Sequence, residues 1–566
     1  MRRHALRLIR ELTGRLGWKY RLWIPAAVVL SAVHLLPPRF LQFFTEGSQT
    51  LTNTPSTDFL RLLVIFGLAV GIVQWIGMVL DGILGEWLRL VVGIALKRDA
   101  VHSLTSMRLD ALDTAQRGDW MTRLSGDLYT AEEFLTQSIP QQIAQATMLA
   151  GTAVFFFLHS GAIAFIPLVA AIGLGGLNIA VQRRMGPTLG AAREIEGGVF
   201  QSMIETFEGL RTIRTYGSER FSLERLDRQL GGLFEAGMRI TKSMAALMGT
   251  NELVSQLVIT GVLTLVAYEI RGSALTAEDA LVYPFYISLF LGSAKTLVAS
   301  AYDWNRFFIE GGRLATLLYD EESKEGDRAA NFGDLDRLVP RVARFSAEDV
   351  VMAYGDRPPV VRGMKLSLAR GEIVALMGPS GCGKSTMSEG FAGLRRVRAG
   401  RFVAMFDDGS SREFPQAPPF LAAFVEQQPY LFVGTVRENI ALGSPVPDES
   451  LWRALEEVGL RELIAQRGGL DEVLADRGRN LSVGQQYRLA LCRALVSGRP
   501  FLLMDEPFAA LDVESVERVV ATLQAERKNG TGILLVTHLL PASLEADRVV
   551  EMRPVLSDRG ETDPPN

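Results

Sequence analysis

The sequence contains little cysteine and little excess charge of either sign. Only two of its 566 residues are cysteines, Cys382 and Cys492, which argues against a disulfide framework and fits a reducing compartment. The net charge is −4, so the composition indicates no general attraction to nucleic acid. The chain is nevertheless too long for one hydrophobic core, and its length predicts two to four domains.

Long stretches without any charge occur only in the first 320 residues. A membrane-spanning helix needs about 20 apolar residues. Leu62–Leu80 and Phe134–Gln182 contain no charged residue, and the second is long enough for two helices with a turn near His159–Gly161. Less regular apolar segments are Trp23–Phe44, interrupted by Pro37, Pro38 and Arg39, and residues 252–268 and 280–301. Together these segments predict six membrane helices.

The distribution of Lys and Arg predicts how these helices are oriented. The loop Thr45–Asp58 has no Lys or Arg, whereas the leader Met1–Arg21 and residues 85–133 and 183–250 are rich in them. Basic residues accumulate on the cytoplasmic side, so both termini are predicted to face the cytoplasm. The first apolar segment is not interpreted as a signal peptide, because its basic leader is too long and no small-residue cleavage site follows.

The two arginine-rich segments are too long for simple loops. Apolar residues recur there at helical spacing, as at Val199, Met203, Phe207 and Leu210. We expect membrane helices that continue into the cytoplasm as hairpins, with tips near Leu109–Asp119 and Glu205–Tyr216. The alternative is a set of solvated surface helices.

Polar residues within membrane segments are costly and usually face a bundle interior or a water-filled cavity. They are candidates for a substrate passage, or they form hydrogen bonds between helices, or they lie beyond the lipid. The residues concerned are Gln74, Gln141, Gln145, Asn178, Gln256 and Lys295, with Glu252 near a boundary.

A phosphate-binding loop follows a short apolar strand in the second half of the chain. Ile373–Met377 reads as a buried strand, and Gly378–Ser385 matches G-x-x-x-x-G-K-[ST] in full. Glycines let backbone N–H groups surround phosphate, and a following helix N-terminus favours negative charge. Lys384 is predicted to reach the β- and γ-phosphates and Ser385 to bind Mg²⁺. The predicted nucleotide-binding residues here are Gly378, Pro379, Ser380, Gly381, Cys382, Gly383, Lys384, Ser385 and Thr386.

An acidic pair and a histidine end two later apolar strands. Phe501–Met504 leads into Asp505, placed to hold Mg²⁺, and Glu506, placed to orient and deprotonate the attacking water. His538 ends the apolar run Ile533–Thr537 and is placed to contact the γ-phosphate. The alternatives are that the acidic pair caps a helix and that the histidine is structural.

Two further residues are candidates by their position. The Gln427 amide is placed to sense Mg²⁺ or the attacking water. Tyr354 lies 24 residues before Gly378, where an aromatic ring could stack on adenine or simply belong to the core.

In their order and spacing these motifs resemble those of ATP-binding cassette transporters of the exporter fold, in the half-transporter form. The resemblance covers nearly the whole chain and adds a signature-like segment, LSVGQ, at Leu481–Gln485. Other segments that resemble the family are Arg117–Asp127, Phe207–Glu219, Asp471–Gly478 and Ala509–Asp512.

The resemblance implies that two nucleotide-binding domains close head to tail. Each signature would act on the ATP held by the other domain, and Asp512 would lie beside the nucleotide and the partner. Because the chain has one phosphate loop and one signature, a second half-transporter chain is implied, with an identical copy favoured over a different one. The residues implied to act on the partner's ATP are Ser482, Val483, Gly484 and Gln485.

Val483 departs from the family's usual LSGGQ. Glycine tolerates positive φ and a close approach of backbone to phosphate, whereas a β-branched residue resists both. Either Val483 is tolerated because Gly484 makes the closest approach, or it weakens the ATP site that it caps.

The expected organisation is an all-α six-helix transmembrane domain (1–319) with long cytoplasmic helical extensions, a linker (320–340) and an α/β P-loop ATPase domain with a helical subdomain (341–566). The implied function is transport of a small molecule, lipid or peptide driven by ATP, with Mg²⁺ as cofactor. Export or flipping is favoured, and the alternatives are an importer on the same fold or an ATPase that regulates a membrane partner. The expected location is the cell membrane with the ATPase in the cytoplasm.

Overall fold

The computed structural model describes residues 2–33, 57–107, 117–159, 165–271, 279–319, 339–355 and 357–554. The chain divides into two compact units, one formed by residues 1–104 and 117–320 and the other by residues 105–116 and 321–566. The predicted linker lies almost wholly outside the described residues. Each unit is presented by itself.

The first unit is helical throughout its described residues. Its helices, in chain order, are α1 (Arg2–Leu16), α2 (Trp18–Val33), α3 (Thr57–Ser106), α4 (Arg117–Thr122), α5 (Leu128–Glu133), α6 (Ile139–His159), α7 (Phe165–Glu208), α8 (Leu210–Tyr216), α9 (Glu219–Arg271) and α10 (Asp279–Tyr319). Two π-helical segments, π1 (Arg123–Asp127) and π2 (Phe134–Ser138), connect α4, α5 and α6 into one continuous helical run.

Four of these helices are long and apolar enough to cross a membrane within the described part of the chain. They are Val64–Ser106, Phe165–Glu208, Glu219–Tyr268 and Val282–Tyr319. The two other predicted membrane segments coincide with α2, of which 16 residues are described, and α6, which has 21. The predicted break between two helices falls where expected, because α6 ends at His159 and α7 begins at Phe165.

Helices α7 and α9 are among those that continue far beyond the thickness of a bilayer. At 1.5 Å per residue the 44 residues of α7 span about 66 Å and the 53 residues of α9 about 80 Å, against a hydrocarbon core of about 30 Å. The short α8 joins them and ends at Gly217, whose left-handed φ of 58° turns the chain into α9. The expected hairpin tip at Glu205–Tyr216 is therefore present. Most of the other expected tip, Leu109–Asp119, lies outside the described residues.

Ion pairs fasten the α4–α6 run to α10. Asp127 is almost fully buried and accepts two hydrogen bonds from the Arg313 guanidinium, at 2.6 and 2.9 Å. One helical turn away, Thr130 Oγ1 donates to Glu310 Oε2 at 2.5 Å. The rings of Phe134 and Phe307 stack beside them with centroids 4.2 Å apart. Charge pairing and aromatic packing thus fix the same contact.

The second unit contains an α/β core built on a parallel sheet. Its strands are β1 (Val342–Met352), β2 (Val361–Ala369), β3 (Ile373–Met377), β4 (Ala399–Phe406), β5 (Ser411–Phe414), β6 (Ala422–Val425), β7 (Gly434–Thr435), β8 (Val473–Leu474), β9 (Phe501–Asp505), β10 (Gly532–Val536) and β11 (Arg548–Glu551). The parallel sheet has the order β11-β3-β10-β9-β6, and an antiparallel sheet has the order β2-β1-β4-β5. Residues of β9 and β10 are buried throughout, as continuous apolar runs predict.

Helices surround the sheet and also form a subdomain of their own. They are α11 (Lys384–Phe391), α12 (Val436–Ala441), α13 (Asp448–Glu457), α14 (Arg461–Arg467), α15 (Val483–Val496) and α16 (Val513–Lys528). A hydrophobic cluster joins α12, α13 and α15 through residues such as Ile440, Leu455 and Leu491. Cys492 lies in this cluster, where burial raises the pKa of its thiol, and both cysteines are free, as expected.

Candidate active site

The phosphate-binding loop connects β3 to α11 through glycines that no other residue could replace without strain. Gly378 has φ 155°, and a Cβ there would lie 2.4 Å from the Met552 carbonyl oxygen. Gly383 has φ 97°, and a Cβ there would lie 2.9 Å from Val360 Cγ1. The loop is therefore held both by its backbone conformation and by the chain packed against it.

Lys384 begins α11 and turns its ammonium group back into the loop. Its side chain is largely buried, and Nζ donates to the carbonyl oxygens of Gly378 and Pro379 at 2.9 and 3.1 Å. Nζ also lies 3.4 Å from His538 Nε2. The cation is thus fixed within the loop by backbone oxygens.

Asp505 ends β9 at the carboxyl edge of the parallel sheet, where ligands of such sheets bind. Asp505 is only 7% exposed, and its Oδ1 has no hydrogen-bond partner within the described part of the chain. Burial raises the pKa of Asp505, and Glu506 raises it further. The Ser385 hydroxyl and the positive charge of Lys384 lower that pKa but do not outweigh burial.

Glu506 follows with a backbone conformation that is unusual for a residue with a side chain. Its φ is +47°, and its N–H donates to the Val536 carbonyl oxygen at 2.8 Å. Such strain costs about 1–3 kcal/mol and accumulates at functional sites. The Glu506 carboxylate lies 3.3 Å from His538 Nε2, which is also 3.4 Å from Ser380 Oγ. The structure therefore brings together Lys384, Glu506 and His538, which the sequence places far apart.

Tyr354 contacts the same loop from outside. Its hydroxyl and the Thr386 hydroxyl are 3.0 Å apart, and the guanidinium carbon of Arg395 lies 4.0 Å from the centre of its ring. Arg395 is buried and its Nε donates to Glu389 at 2.6 Å. The sequence analysis missed Arg395, because nothing in its local pattern distinguishes it from the neighbouring arginines.

Gln427 lies near the same edge of the sheet. It follows β6, whose last residue, Val425, is paired with Met504 immediately before Asp505. Its side chain is exposed and makes no hydrogen bond to another described residue. The structure thus places Gln427 near the acidic pair without fixing its amide.

The LSVGQ segment forms the start of α15. Ser482 caps this helix, accepting from the Gln485 N–H at 3.3 Å while Gln485 Oε1 accepts from the Ser482 N–H at 3.0 Å. Val483 is the first residue of the helix and is 56% exposed. Because Val483 is helical and has no positive φ, its backbone conformation does not disfavour a β-branched side chain. Gly484 is the restricted position, since a Cβ there would lie 2.9 Å from the Ala510 carbonyl oxygen.

Asp512 caps the next helix. Its Oδ1 accepts from the Ser515 N–H at 2.8 Å at the start of α16, and the hydrogen bonds from Ser515 lower the pKa of Asp512. The segment Ala509–Asp512 therefore packs against Gly484 at one end and begins a helix at the other.

A glycine loop with its lysine, beside an acidic pair at the carboxyl edge of a parallel sheet, defines a P-loop nucleoside triphosphatase. Comparison with known families extends this class. The sequence profile of the ABC transporter transmembrane region matches residues 22–294, and the ABC transporter profile matches residues 361–509. Together they cover most of the chain, which belongs to the ATP-binding cassette (ABC) transporters.

Individual relatives agree with this assignment. The chain is 24% identical over 502 residues to the ATP-dependent lipid A-core flippase of Vibrio vulnificus (strain YJ016), covering 88% of this chain and 85% of the flippase. It is 23% identical over 544 residues, 93% of its length, to ABC transporter B family member 1 of Dictyostelium discoideum, and spans 57% of that longer protein. A solved bacterial Atm1-family ABC exporter with ATP bound has the same fold, with a TM-score of 0.81 at 19% identity over 94% of this chain and 93% of the exporter.

The comparisons confirm three predictions from the sequence. The family is correct, the fold is a mainly helical transmembrane region followed by an α/β nucleotide-binding domain, and the chain is an ATP-hydrolysing transporter. The protein is accordingly a multi-pass membrane protein.

Proposed function

We propose that this chain is one half of a transporter that exports or flips an amphiphilic small molecule or lipid, driven by ATP hydrolysis at the site around Asp505 and Glu506. The proposal rests on the contacts of His538 at the sheet edge. Its Nε2 lies 3.4 Å from Lys384 Nζ and 3.3 Å from the Glu506 carboxylate. The direction of transport rests on similarity to proteins named as a flippase and an exporter.

The residues have distinct proposed roles in hydrolysis. Lys384 binds the β- and γ-phosphates from within the loop, where backbone oxygens already orient it. Glu506 accepts a proton from the attacking water, and His538 bridges this carboxylate to the loop and contacts the γ-phosphate. Gln427 orients the water from the neighbouring strand, and the ring of Tyr354 stacks on adenine.

The residues present also fit Mg²⁺. Asp505 Oδ1 is a buried oxygen without a partner in the described chain, and the Ser385 hydroxyl adjoins the same carboxylate. Hydroxyl and carboxylate oxygens are the ligands that Mg²⁺ prefers. Bound there, Mg²⁺ neutralises charge on the phosphates.

The active assembly is proposed to contain two chains, with an identical copy as partner. In each chain the signature residues Ser482, Gly484 and Gln485 then act on the partner's ATP. Asp512 lies beside the nucleotide and the partner chain. Val483 is compatible with this arrangement, since its helical backbone is unstrained and its side chain lies on the surface. The nucleotide-binding domain is proposed to be cytoplasmic, because the adjoining helical segments are rich in arginine.

A variant of the proposed base tests this assignment. Glu506→Gln in the purified full-length protein should reduce phosphate release at least 100-fold, the usual scale of a lost general base, while ATP binding is retained. Glu545→Gln is the matched control, because Glu545 is exposed and is not one of the residues that form the site. Unchanged phosphate release in Glu506→Gln, with normal release in the control, would exclude Glu506 as the base.

A further inference from the structure

A cavity of about 510 Å³ lies within the helical unit of a single chain. Its walls are formed by α2, α3, π2 and the first half of α6. A volume of this size is in the range of small-molecule sites. The cavity is distinct from the nucleotide site, which belongs entirely to the other unit.

Amide and carboxylate groups converge on this cavity from two helices. Gln137, Gln141 and Gln145 succeed one another at spacings of four, so they share one face of the π2–α6 run. Gln74 and Asp81 are seven residues apart and share one face of α3. Among the described residues that line the cavity, Asp81 is the only charged one. None of these five side chains forms a hydrogen bond or ion pair with another residue that the structure describes.

Two other polar residues of the apolar helices, Asn178 and Gln256, are satisfied by neighbours. Asn178 donates to Asn251 Oδ1 at 3.1 Å and to the Leu174 carbonyl oxygen at 2.7 Å. Gln256 donates to Glu252 Oε1 at 3.0 Å. These pairs fit the sequence alternative of hydrogen bonds within and between helices. Polar groups at membrane depth are costly and mark substrate pathways when no partner satisfies them. The four cavity glutamines belong to the uncharged segments Leu62–Leu80 and Phe134–Gln182, and Asp81 directly follows the first of these.

The π-helical segment π2 provides a second, independent indication. It contains Gln137 and ends immediately before α6, which carries the other two glutamines. A π turn inserts one residue, and one residue of α-helix corresponds to a rotation of about 100°. The π segment therefore rotates the side chains that follow it relative to those that precede it. Such segments occur frequently at functional sites.

We propose that this cavity binds an amphiphile with one positively charged amine head group. Asp81 supplies the single negative charge, and the amide oxygens of Gln74 and Gln141 accept hydrogen bonds from the amine. Leu30, Val33 and Met148 supply apolar wall for the hydrocarbon part. A head group of negative charge is disfavoured, because the described lining residues include Asp81 and contain no Lys or Arg. The inference rests on the proposed transport function and specifies its substrate class.

Binding of three matched probes tests the inference. Dodecylamine, dodecanol and dodecanoate share one chain and differ in head-group charge. Equilibrium dialysis of each radiolabelled probe against the full-length protein in lipid nanodiscs, with empty nanodiscs subtracted, should show saturable binding that is tightest for dodecylamine. Asp81→Asn should weaken dodecylamine binding by about tenfold and leave dodecanol binding unchanged. Gln141→Leu should weaken dodecylamine binding by a smaller factor, about threefold.

The control is Glu86→Gln, which removes an equal charge from the same helix outside the cavity. Glu86 is exposed, and its carboxylate pairs with Arg89 on the same helix at 3.6 Å. Equal dodecylamine affinity in Asp81→Asn and Glu86→Gln, or tighter binding of dodecanoate than of dodecylamine, would overturn the inference. Because no nucleotide is present, the result is independent of ATP-driven transport. Loss of transport with charge-selective binding intact would instead count against the proposed function alone.

Discussion

Replacing Arg395 should weaken binding of ATP by an effect that is specific to adenine. In Arg395→Leu the ring of Tyr354 loses the guanidinium that lies 4.0 Å from its centre, so the ring is no longer held on that side. A cation–π contact contributes about 0.5 kcal/mol when exposed and about 2 kcal/mol when desolvated, and Arg395 is buried. These energies correspond to a rise of about 2- to 30-fold in the Kd for ATP.

The assay compares ATP with inorganic triphosphate, which carries the phosphates without the base. Both are measured on full-length protein in the Glu506→Gln background to prevent hydrolysis. Triphosphate affinity should stay within about twofold, because the loop and Lys384 are unaltered. Arg396→Leu is the matched control, since Arg396 is adjacent but exposed. Equal weakening of ATP and triphosphate, or an equal effect of Arg396→Leu, would refute the proposed role.

Three other substitutions give defined outcomes. In a titration with ATP, Gly383→Ala should weaken binding by at least about tenfold, and by more than Gly381→Ala. Both glycines have positive φ, but of the two only Gly383 lacks room for a Cβ. The folded protein raises the pKa of Asp505, so it favours the protonated carboxyl. The resulting stabilisation of the folded state is fully present below the ordinary pKa of 3.8 and is lost as pH rises through the folded pKa. Asp505→Asn, which stays neutral, should therefore raise the midpoint of thermal unfolding at pH 7 while abolishing Mg²⁺-dependent hydrolysis; a lowered midpoint would contradict this. Arg313→Leu leaves the buried Asp127 carboxylate without its ion pair and should cost about 3–5 kcal/mol in unfolding free energy, more than Asp127→Asn, as checked by denaturation of both variants.

The nucleotide site was largely predictable because its motifs are local. The spacing of Gly378, Gly383 and Lys384 requires a loop around phosphate, and apolar runs ending in Asp505 and His538 place both at one edge of a parallel sheet. The approach of Glu506 to His538 then follows from the pairing of β9 with β10.

What could not be predicted depends on packing between segments distant in sequence. Arg395 lies 41 residues after Tyr354 in the sequence and reaches its ring only through the fold. Gln74 and Gln141 were recognised as costly polar residues, but only the arrangement of three helices shows that they line one cavity. The conformation of Val483 likewise depends on where α15 begins, which the capping bonds of Ser482 determine.

The central claim is that hydrolysis at Glu506 drives an amphiphile across the membrane. The most direct test follows dodecylamine uptake and phosphate release together in inside-out vesicles that contain the full-length protein. We expect ATP-dependent accumulation in the lumen, with both signals lost in Glu506→Gln and both retained in Glu545→Gln. ATP-dependent loss of dodecylamine from the lumen, or accumulation that persists in Glu506→Gln without phosphate release, would contradict it.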